Sequence, residues 1–188
     1  MMITTAVKAP MRPDRACQIR AALLVICCSL ILLVSAGCVS SSTTIIEAES
    51  VSNPKPMYNY TSIIIQDFEL NRGMYADVPE AGMSQRELRY AKLPGELAGN
   101  IERHIKSQSI YNKISRSGKA DAATLLLTGK FTRIGRFKIS VQVSLRDGVS
   151  GQEVASFHPT LWDVLDTTAT IGDLGSEVAD FLYRIQYK

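Results

Sequence analysis

The clearest hydrophobic pattern in the chain is a strict alternation of apolar and polar side chains between residues 137 and 146. The apolar set is Phe137, Ile139, Val141, Val143 and Leu145, and the polar set is Lys138, Ser140, Gln142, Ser144 and Arg146. Since strand side chains alternate between two faces, this period of two predicts a strand with one buried and one solvated face. Residues 123–134 and 152–158 predict flanking strands, joined through turns at Gly135 and at 147–151.

The rest of the chain after residue 60 predicts one more long strand, a short strand and two helices. A β-branched apolar run over 61–70 predicts a buried strand, and 109–115 a short one. Ser84 and Glu87 match a capping box, but Pro94 interrupts the pattern, so a helix is placed over about 94–107. Thr170 and Asp173 offer caps for a last helix. This order predicts an α+β domain over 61–188, with a mixed or antiparallel sheet of about four to five strands and two helices packed on one face.

The N-terminal pattern is different. Residues 1–20 are polar and basic, and 21–34 form an apolar run of 14 residues. A bilayer-spanning helix needs about 20 residues, whereas this length is typical of a secretory signal. The run ends in Val34-Ser-Ala-Gly-Cys38, which resembles the lipobox of bacterial lipoproteins, although Ser35 stands where that pattern usually has Leu. The resemblance implies cleavage between Gly37 and Cys38. An uncleaved anchor helix and an ordinary secretory signal are the alternatives.

The lipobox resemblance implies a covalent lipid, diacylglycerol with palmitate, on Cys38 and no other cofactor. Each buried methylene contributes about 0.8 kcal/mol, so several acyl chains hold a protein stably on a membrane. Val39 rather than Asp follows the cysteine, which by family sorting rules implies the cell outer membrane, with the domain facing the periplasm. Residues 38–60 are rich in Ser, Thr, Asn and Pro, which predicts a flexible tether after the lipidated cysteine. A short edge strand at Ile45 and Ile46 is the alternative within this segment.

Charge and cysteine content narrow the function classes. The net charge of +3 resides in residues 1–37, and the remainder carries 17 basic and 17 acidic side chains. This balance gives no support for nucleic-acid binding, which needs clustered cations. All four cysteines lie at or before residue 38, so the mature chain has no internal disulfide and no cysteine-based zinc site.

Candidate chemistry is sparse, and we expect a non-catalytic protein without a metal site. The two histidines, His104 and His158, stand apart and match no ligand spacing. A Ser-His-Asp triad stays open, but no Gly-x-Ser-x-Gly elbow indicates one. Three carboxylates, Asp163, Asp166 and Asp173, match no calcium loop.

A basic hairpin tip is the candidate partner surface. Arg133, Arg136 and Lys138 surround Gly135, and Trp162 follows in a predicted loop. One hypothesis is an anionic docking patch with Trp162 as an interface anchor. The alternative is a solvated hairpin tip and a tryptophan that fills the core.

The strand, Asp147, the glycine-bearing turn at Gly151 and the return strand at Val154 resemble an element of uncharacterised bacterial lipoprotein families, known as domains of unknown function. The element order over 61–188 is also similar to the TolB N-terminal domain and to lipoprotein activators of peptidoglycan synthases. The resemblance implies a membrane-anchored, non-catalytic domain that binds or scaffolds other envelope proteins. An envelope enzyme and a binder of small ligands or metals are the competing classes.

Overall fold

The computed structural model describes residues 43–52, 55–77, 79–135, 137–162 and 166–187. They form six strands and two long helices: β1 Thr43–Val51, β2 Ser62–Ile65, α1 Gln85–Gln108, β3 Lys113–Ser115, β4 Thr124–Ile134, β5 Lys138–Asp147, β6 Glu153–Trp162 and α2 Thr167–Gln186. Short 3-10 turns lie at Met57–Asn59, Arg72–Met74 and Glu80–Gly82.

The six strands make one mixed sheet in the order β1-β6-β5-β4-β2-β3. The pairs β1–β6, β6–β5 and β5–β4 are antiparallel, whereas β2 runs parallel to both β4 and β3. The helices pack against each other and against the sheet, which confirms the predicted α+β class. The sheet has six described strands rather than four to five, because β1 comes from a segment that the sequence assigns to a tether.

Strand β1 corrects the predicted tether over 38–60. Its residues 43–51 pair with the whole of β6, from Thr43 opposite Trp162 to Val51 opposite Ala155. Nearly all of its side chains are exposed, so it has no hydrophobic alternation for a sequence pattern to reveal. Its place is set by backbone hydrogen bonds to β6, which are available to any residue but proline. The tether prediction for residues 38–42 lies outside the described residues.

Helix α1 begins nine residues before the predicted start and runs through Pro94 without a break. Ser84 and Glu87 form the predicted capping box at its start. A proline in a helix interior costs about 3 kcal/mol. Tyr90 and Leu93 lie buried just before the proline, as does Leu97 just after it, and burial of such side chains offsets that cost.

Three further boundaries differ from the prediction. The run 61–70 forms only the short strand β2, followed by a single bridge between Glu69 and Lys130. Helix α2 begins at Thr167, because Asp166 rather than Thr170 accepts the first backbone N–H groups. Strand β6 continues through Pro159, which is tolerated because a bulge in β1 lies beside it.

The core lies between the helices and one face of the sheet. The alternation along β5 is confirmed: Ile139, Val141, Val143 and Leu145 are buried, whereas Gln142 and Arg146 are exposed. Ser140 departs from the predicted solvated face, because it lies buried beside the Thr160 hydroxyl. In α2, Phe181 stacks on Phe157 of β6, with ring centroids 4.6 Å apart. Both helices occupy this face, and no described helix covers the opposite one. We call the opposite surface of β4, β5 and β6 the helix-free face.

Candidate functional site

The helix-free face is polar, and it gathers most of the residues that the sequence singles out. Directly opposite residues in antiparallel strands share a face, and the register places Lys130 beside Gln142, Arg133 beside Ser140 and Lys138 beside Trp162. Its principal side chains are Lys130, Arg133, Lys138, Ser140, Gln142, Ser144, Arg146, Glu153, His158, Thr160 and Trp162.

Glu47 of β1 organises one end of this face. Its carboxylate accepts a hydrogen bond from the Thr160 hydroxyl at 2.8 Å and pairs with the Lys138 ammonium at 3.1 Å. The Thr160 hydroxyl also lies 2.7 Å from that of Ser140. The Thr160 hydrogen bond, and then Lys138, hold the pKa of Glu47 below its usual range. Glu47 is the extra residue of the β1 bulge, which turns its side chain onto the face.

A hydroxyl, an imidazole and a carboxylate follow one another next to this network. The Thr132 hydroxyl lies 3.1 Å from His158 Nε2, and His158 Nδ1 lies 3.8 Å from Glu47. A hydroxyl, an imidazole and a carboxylate follow one another in this order in a catalytic triad. However, 3.8 Å is too long for a hydrogen bond, and Glu47 is already engaged by Lys138 and Thr160. The arrangement therefore makes an electrostatic contact but gives Thr132 no activated base.

The middle of the face is an open groove between β4 and β6. Lys130 and Arg146 border it, and neither makes a salt bridge to any residue that the structure describes. Its other lining side chains are Glu69, Thr128, Gln142, Ser144 and Glu153. Glu153 accepts a hydrogen bond from the Ser144 hydroxyl at 2.6 Å. The groove thus offers a partner two cations without a salt bridge, the two carboxylates of Glu69 and Glu153, and several amide and hydroxyl groups.

The structure brings three of the four predicted surface residues together. Arg133, Lys138 and Trp162 lie on the helix-free face, and the Lys138 ammonium lies over the Trp162 ring, 4.8 Å from its centroid. Trp162 is 40% exposed, so it does not fill the core. Arg136 and the predicted cleavage site at Gly37 and Cys38 lie outside the described residues.

The sequence reasoning missed two residues of the site. Glu47 falls in the segment assigned to the tether, where no periodicity points to a strand. Lys130 is opposite in phase to the buried set Leu125, Leu127 and Phe131, so the alternation of β4 already placed it on the outer face. Arg133 has the same phase as the buried set, but a bulge between Phe131 and Arg133 moves it to the outer face.

Asp147 forms a separate cluster at the other end of β5. Its carboxylate accepts hydrogen bonds from Tyr60 at 3.0 Å and from the backbone of Val149 and Ser150, and pairs with Lys55 at 2.8 Å. Lys55, with those backbone donors, holds the pKa of Asp147 far below its usual range. Burial, and then Asp147, raise the pKa of Tyr60 to about 12.

The Asp147 turn therefore has a structural role. Gly151 adopts φ +68°, a conformation that favours glycine, and Val154 is fully buried at the start of the return strand. The residues that carry the sequence resemblance thus build the turn and connect it to the segment before β2.

Within the described residues, no group of three or more His, Cys, Asp or Glu side chains converges as a metal site would. Asp166 caps α2 by accepting from the backbone of Thr168 and Ala169. Asp163 lies outside the described residues. No helix among those described is long and apolar enough to cross a membrane.

No protein-family model matches the chain, and no curated protein matches it by sequence. Similar solved structures include the PelC dodecamer from Paraburkholderia phytofirmans, with 15% identity, a TM-score of 0.45 and coverage of 76% of this chain and 97% of that one. A protein of family DUF330 from Xanthomonas campestris shows 15% identity and a TM-score of 0.42 over 71% and 90% of the two chains. These likenesses concern the chain path, and no residue role is carried over from them.

Proposed function

We propose that the chain is a lipid-anchored envelope protein that binds a partner protein through the helix-free face of its sheet and performs no catalysis. The partner would present acidic side chains to Lys130 and Arg146 and polar or basic ones to Glu69 and Glu153, because the groove holds charges of both signs. The domain would act as a docking or scaffolding component, as the resemblance to the TolB N-terminal domain and to synthase activators implies.

The anchor half of the proposal is supported by the N-terminal sequence. A basic start, a 14-residue apolar run and Ala36-Gly-Cys38 follow one another in the order of a lipoprotein signal. The thiol of Cys38 would carry the lipid after cleavage at Gly37. Val39 favours the outer membrane over retention in the inner membrane.

The docking half is carried by one observation: Lys130, Arg133 and Arg146 share the helix-free face, and none of them has a salt-bridge partner among the described residues. Glu47, the carboxylate at the end of the face, is already paired with Lys138. Charged side chains that lack a salt bridge within the chain can pair with opposite charges of a partner, and such complementarity raises the rate of productive encounters. An exposed groove with amide and hydroxyl groups supplies the hydrogen bonds of a polar interface.

The competing enzyme hypothesis would draw on Thr132, His158 and Glu47. It is disfavoured because the contact between His158 and Glu47 is too long to orient the imidazole. The two carboxylates of the groove at Lys130 and Arg146, those of Glu69 and Glu153, are exposed, whereas a general acid is typically held in a buried, apolar environment.

The test is crosslinking in intact cells, followed by purification and mass spectrometry. Wild-type protein is compared with the variant Lys130→Glu/Arg146→Glu. This variant reverses both cations of the groove. We therefore expect one envelope protein to be captured by the wild type, and its capture to fall at least tenfold in the variant, as for loss of two charge-assisted contacts.

The matched control is Lys92→Glu/Arg103→Glu, which makes the same charge change at two exposed positions of α1, on the opposite side of the sheet. It should capture the partner as the wild type does. Equal capture by the wild type and by the groove variant would contradict docking through this face. The absence of any specific partner would contradict the scaffold role itself.

A further inference from the structure

The start of β1 limits how far the domain can stand from its proposed anchor. Only five residue steps separate Cys38 from Thr43, the first residue of β1. Even fully extended, five steps span about 18 Å. The headgroup region of one leaflet is itself several ångströms thick and takes up part of this length. The end of the sheet that holds Thr43 must therefore lie close to the membrane surface.

The register identifies that end. Thr43 lies opposite Trp162 at the end of β6, and Trp162 lies opposite Lys138 at the start of β5. The hairpin between β4 and β5, including Phe137, belongs to the same end because it immediately precedes Lys138. We call this group the anchor-proximal edge: Thr43, Ile45, Phe137, Lys138 and Trp162.

The chemistry of this edge is that of a membrane interface. Phe137 is 60% exposed, Ile45 46% and Trp162 40%. Tryptophan is enriched at the level of lipid headgroups, because its ring is apolar and its N–H is polar. Lys138, which pairs with Glu47, lies over Trp162. Arg133 lies opposite Ser140 on the same face and has no salt bridge among the described residues, and basic side chains near a leaflet attract anionic headgroups.

The opposite end of the sheet has a different character. There Asp147 is held by Lys55 and Tyr60, and Thr124 begins β4 beside Ser62 of β2. Exposed aliphatic side chains occur at this end as well, namely Val51 and Val149. However, the exposed aromatic side chains of the described strands and hairpins, Phe137 and Trp162, lie at the end nearest the anchor.

From the short connection and this chemistry we infer that the anchor-proximal edge rests on the phospholipid surface, with Trp162 and Phe137 at headgroup level. The inference rests on the proposed lipidation of Cys38. It sets the strands steeply to the membrane, so the groove at Lys130 and Arg146 faces sideways, where a partner can reach it. Trp162 and Lys138 then belong to the membrane contact and not to the protein partner's surface.

The test uses intrinsic fluorescence, because Trp162 is the only tryptophan in the chain. Lipidated full-length protein, purified from cells, is reconstituted into vesicles of phosphatidylethanolamine and phosphatidylglycerol. Parallel vesicles contain phospholipids brominated near the glycerol end of the acyl chains. We expect the emission of Trp162 to lose intensity in the brominated vesicles. We also expect it to lie at shorter wavelength than in protein released from the membrane by protease cleavage between Cys38 and Thr43.

The control moves the reporter to the other end of the domain. In the double variant Trp162→Phe/Tyr58→Trp, the tryptophan occupies an exposed position beside the start of β2, far from the hairpin. Its emission should be the same in brominated and unbrominated vesicles.

Three outcomes would overturn the inference, and they are distinguishable. If the protein floats with the vesicles but Trp162 is not quenched, the lipid anchor is supported and the membrane contact of Trp162 is refuted. A shift to shorter wavelength without quenching means that protein, not lipid, covers Trp162. Protein that fails to float refutes the proposed lipid anchor, and the membrane contact falls with it.

Discussion

At the scale of single residues, Asp147 shows how one side chain holds several segments together. Its carboxylate combines an ion pair, a phenol hydrogen bond and two backbone hydrogen bonds. Hydrogen bonds to an ionised acceptor are about twice as strong as neutral ones. The segment that contains Lys55 and Tyr60 is thereby tied to the turn after β5.

We expect Asp147→Asn to lower the free energy of unfolding by about 2 kcal/mol at neutral pH, since the amide loses the charge that Lys55 and Tyr60 recognise. Urea denaturation of the two proteins measures the difference. Tyr60→Phe, which removes a single donor and keeps the charge, should cost about 1 kcal/mol.

The same substitution has a pH signature. Because the pKa of Asp147 is lower in the folded chain than in the unfolded one, its contribution is fully present above the unfolded value of about 3.9 and is lost as pH falls through the folded value. The difference between wild type and Asp147→Asn should therefore shrink below about pH 4. A difference that stays constant down to lower pH would contradict the charged-state argument.

Residue positions were predictable where strand alternation was unbroken, and not where a bulge intervened. Lys138, Gln142 and Arg146 follow the period of β5 and lie on the helix-free face as the alternation requires. Glu47 and Arg133 reach that face only because β1 and β4 each insert an extra residue. A bulge depends on the partner strand, which a local pattern does not contain.

At the scale of elements, the contact between α1 and α2 depends on a glycine. The two helices run in the same direction: Arg89 contacts Thr168 near their starts, and Gln108 contacts Asp180 further along. Between these points a Cβ on Gly175 would lie 2.7 Å from Cβ of Asn100. The helices therefore approach closely only because residue 175 has no side chain.

Two glycines of α2 give a matched test of this contact. Gly175→Ala should destabilise the protein by about 1–3 kcal/mol, because the helices must separate. Gly172→Ala has no atom within 4 Å of the new Cβ and should stabilise the protein by about 0.5–1 kcal/mol through helix propensity. Thermal unfolding of both variants measures the effects. Equal shifts of Tm would show that the crossing does not depend on Gly175.

Elements with a strong period were predicted well, and those held by tertiary contacts were not. The strands β4 and β5 follow from alternation alone. Pro94 and Pro159 are local breakers, yet α1 and β6 continue through them because burial on both sides of Pro94 and the bulge in β1 beside Pro159 offset the loss. Strand β1 has no buried period, so its composition resembled a linker.

At the scale of the whole molecule, three surfaces of one sheet have different roles. Its helix side holds the core, its helix-free side carries the proposed docking face, and its anchor-proximal edge carries the proposed membrane contact. The α+β class was predictable because hydrophobic periods of two and of about 3.6 both occur in the chain. The position of β1 was not predictable. The sequence therefore could not indicate how close the domain lies to Cys38.

The lipid on Cys38 underlies both the proposed anchor and the proposed membrane contact, and metabolic labelling tests for it directly. Cells that express wild-type protein or Cys38→Ala are grown with a clickable palmitate analogue, and the protein is purified and probed for the label. We expect labelled wild type in the outer-membrane fraction and no label on Cys38→Ala, which has no thiol to accept the lipid. Equal labelling of both proteins, or an unlabelled wild type released in soluble form, would contradict the account.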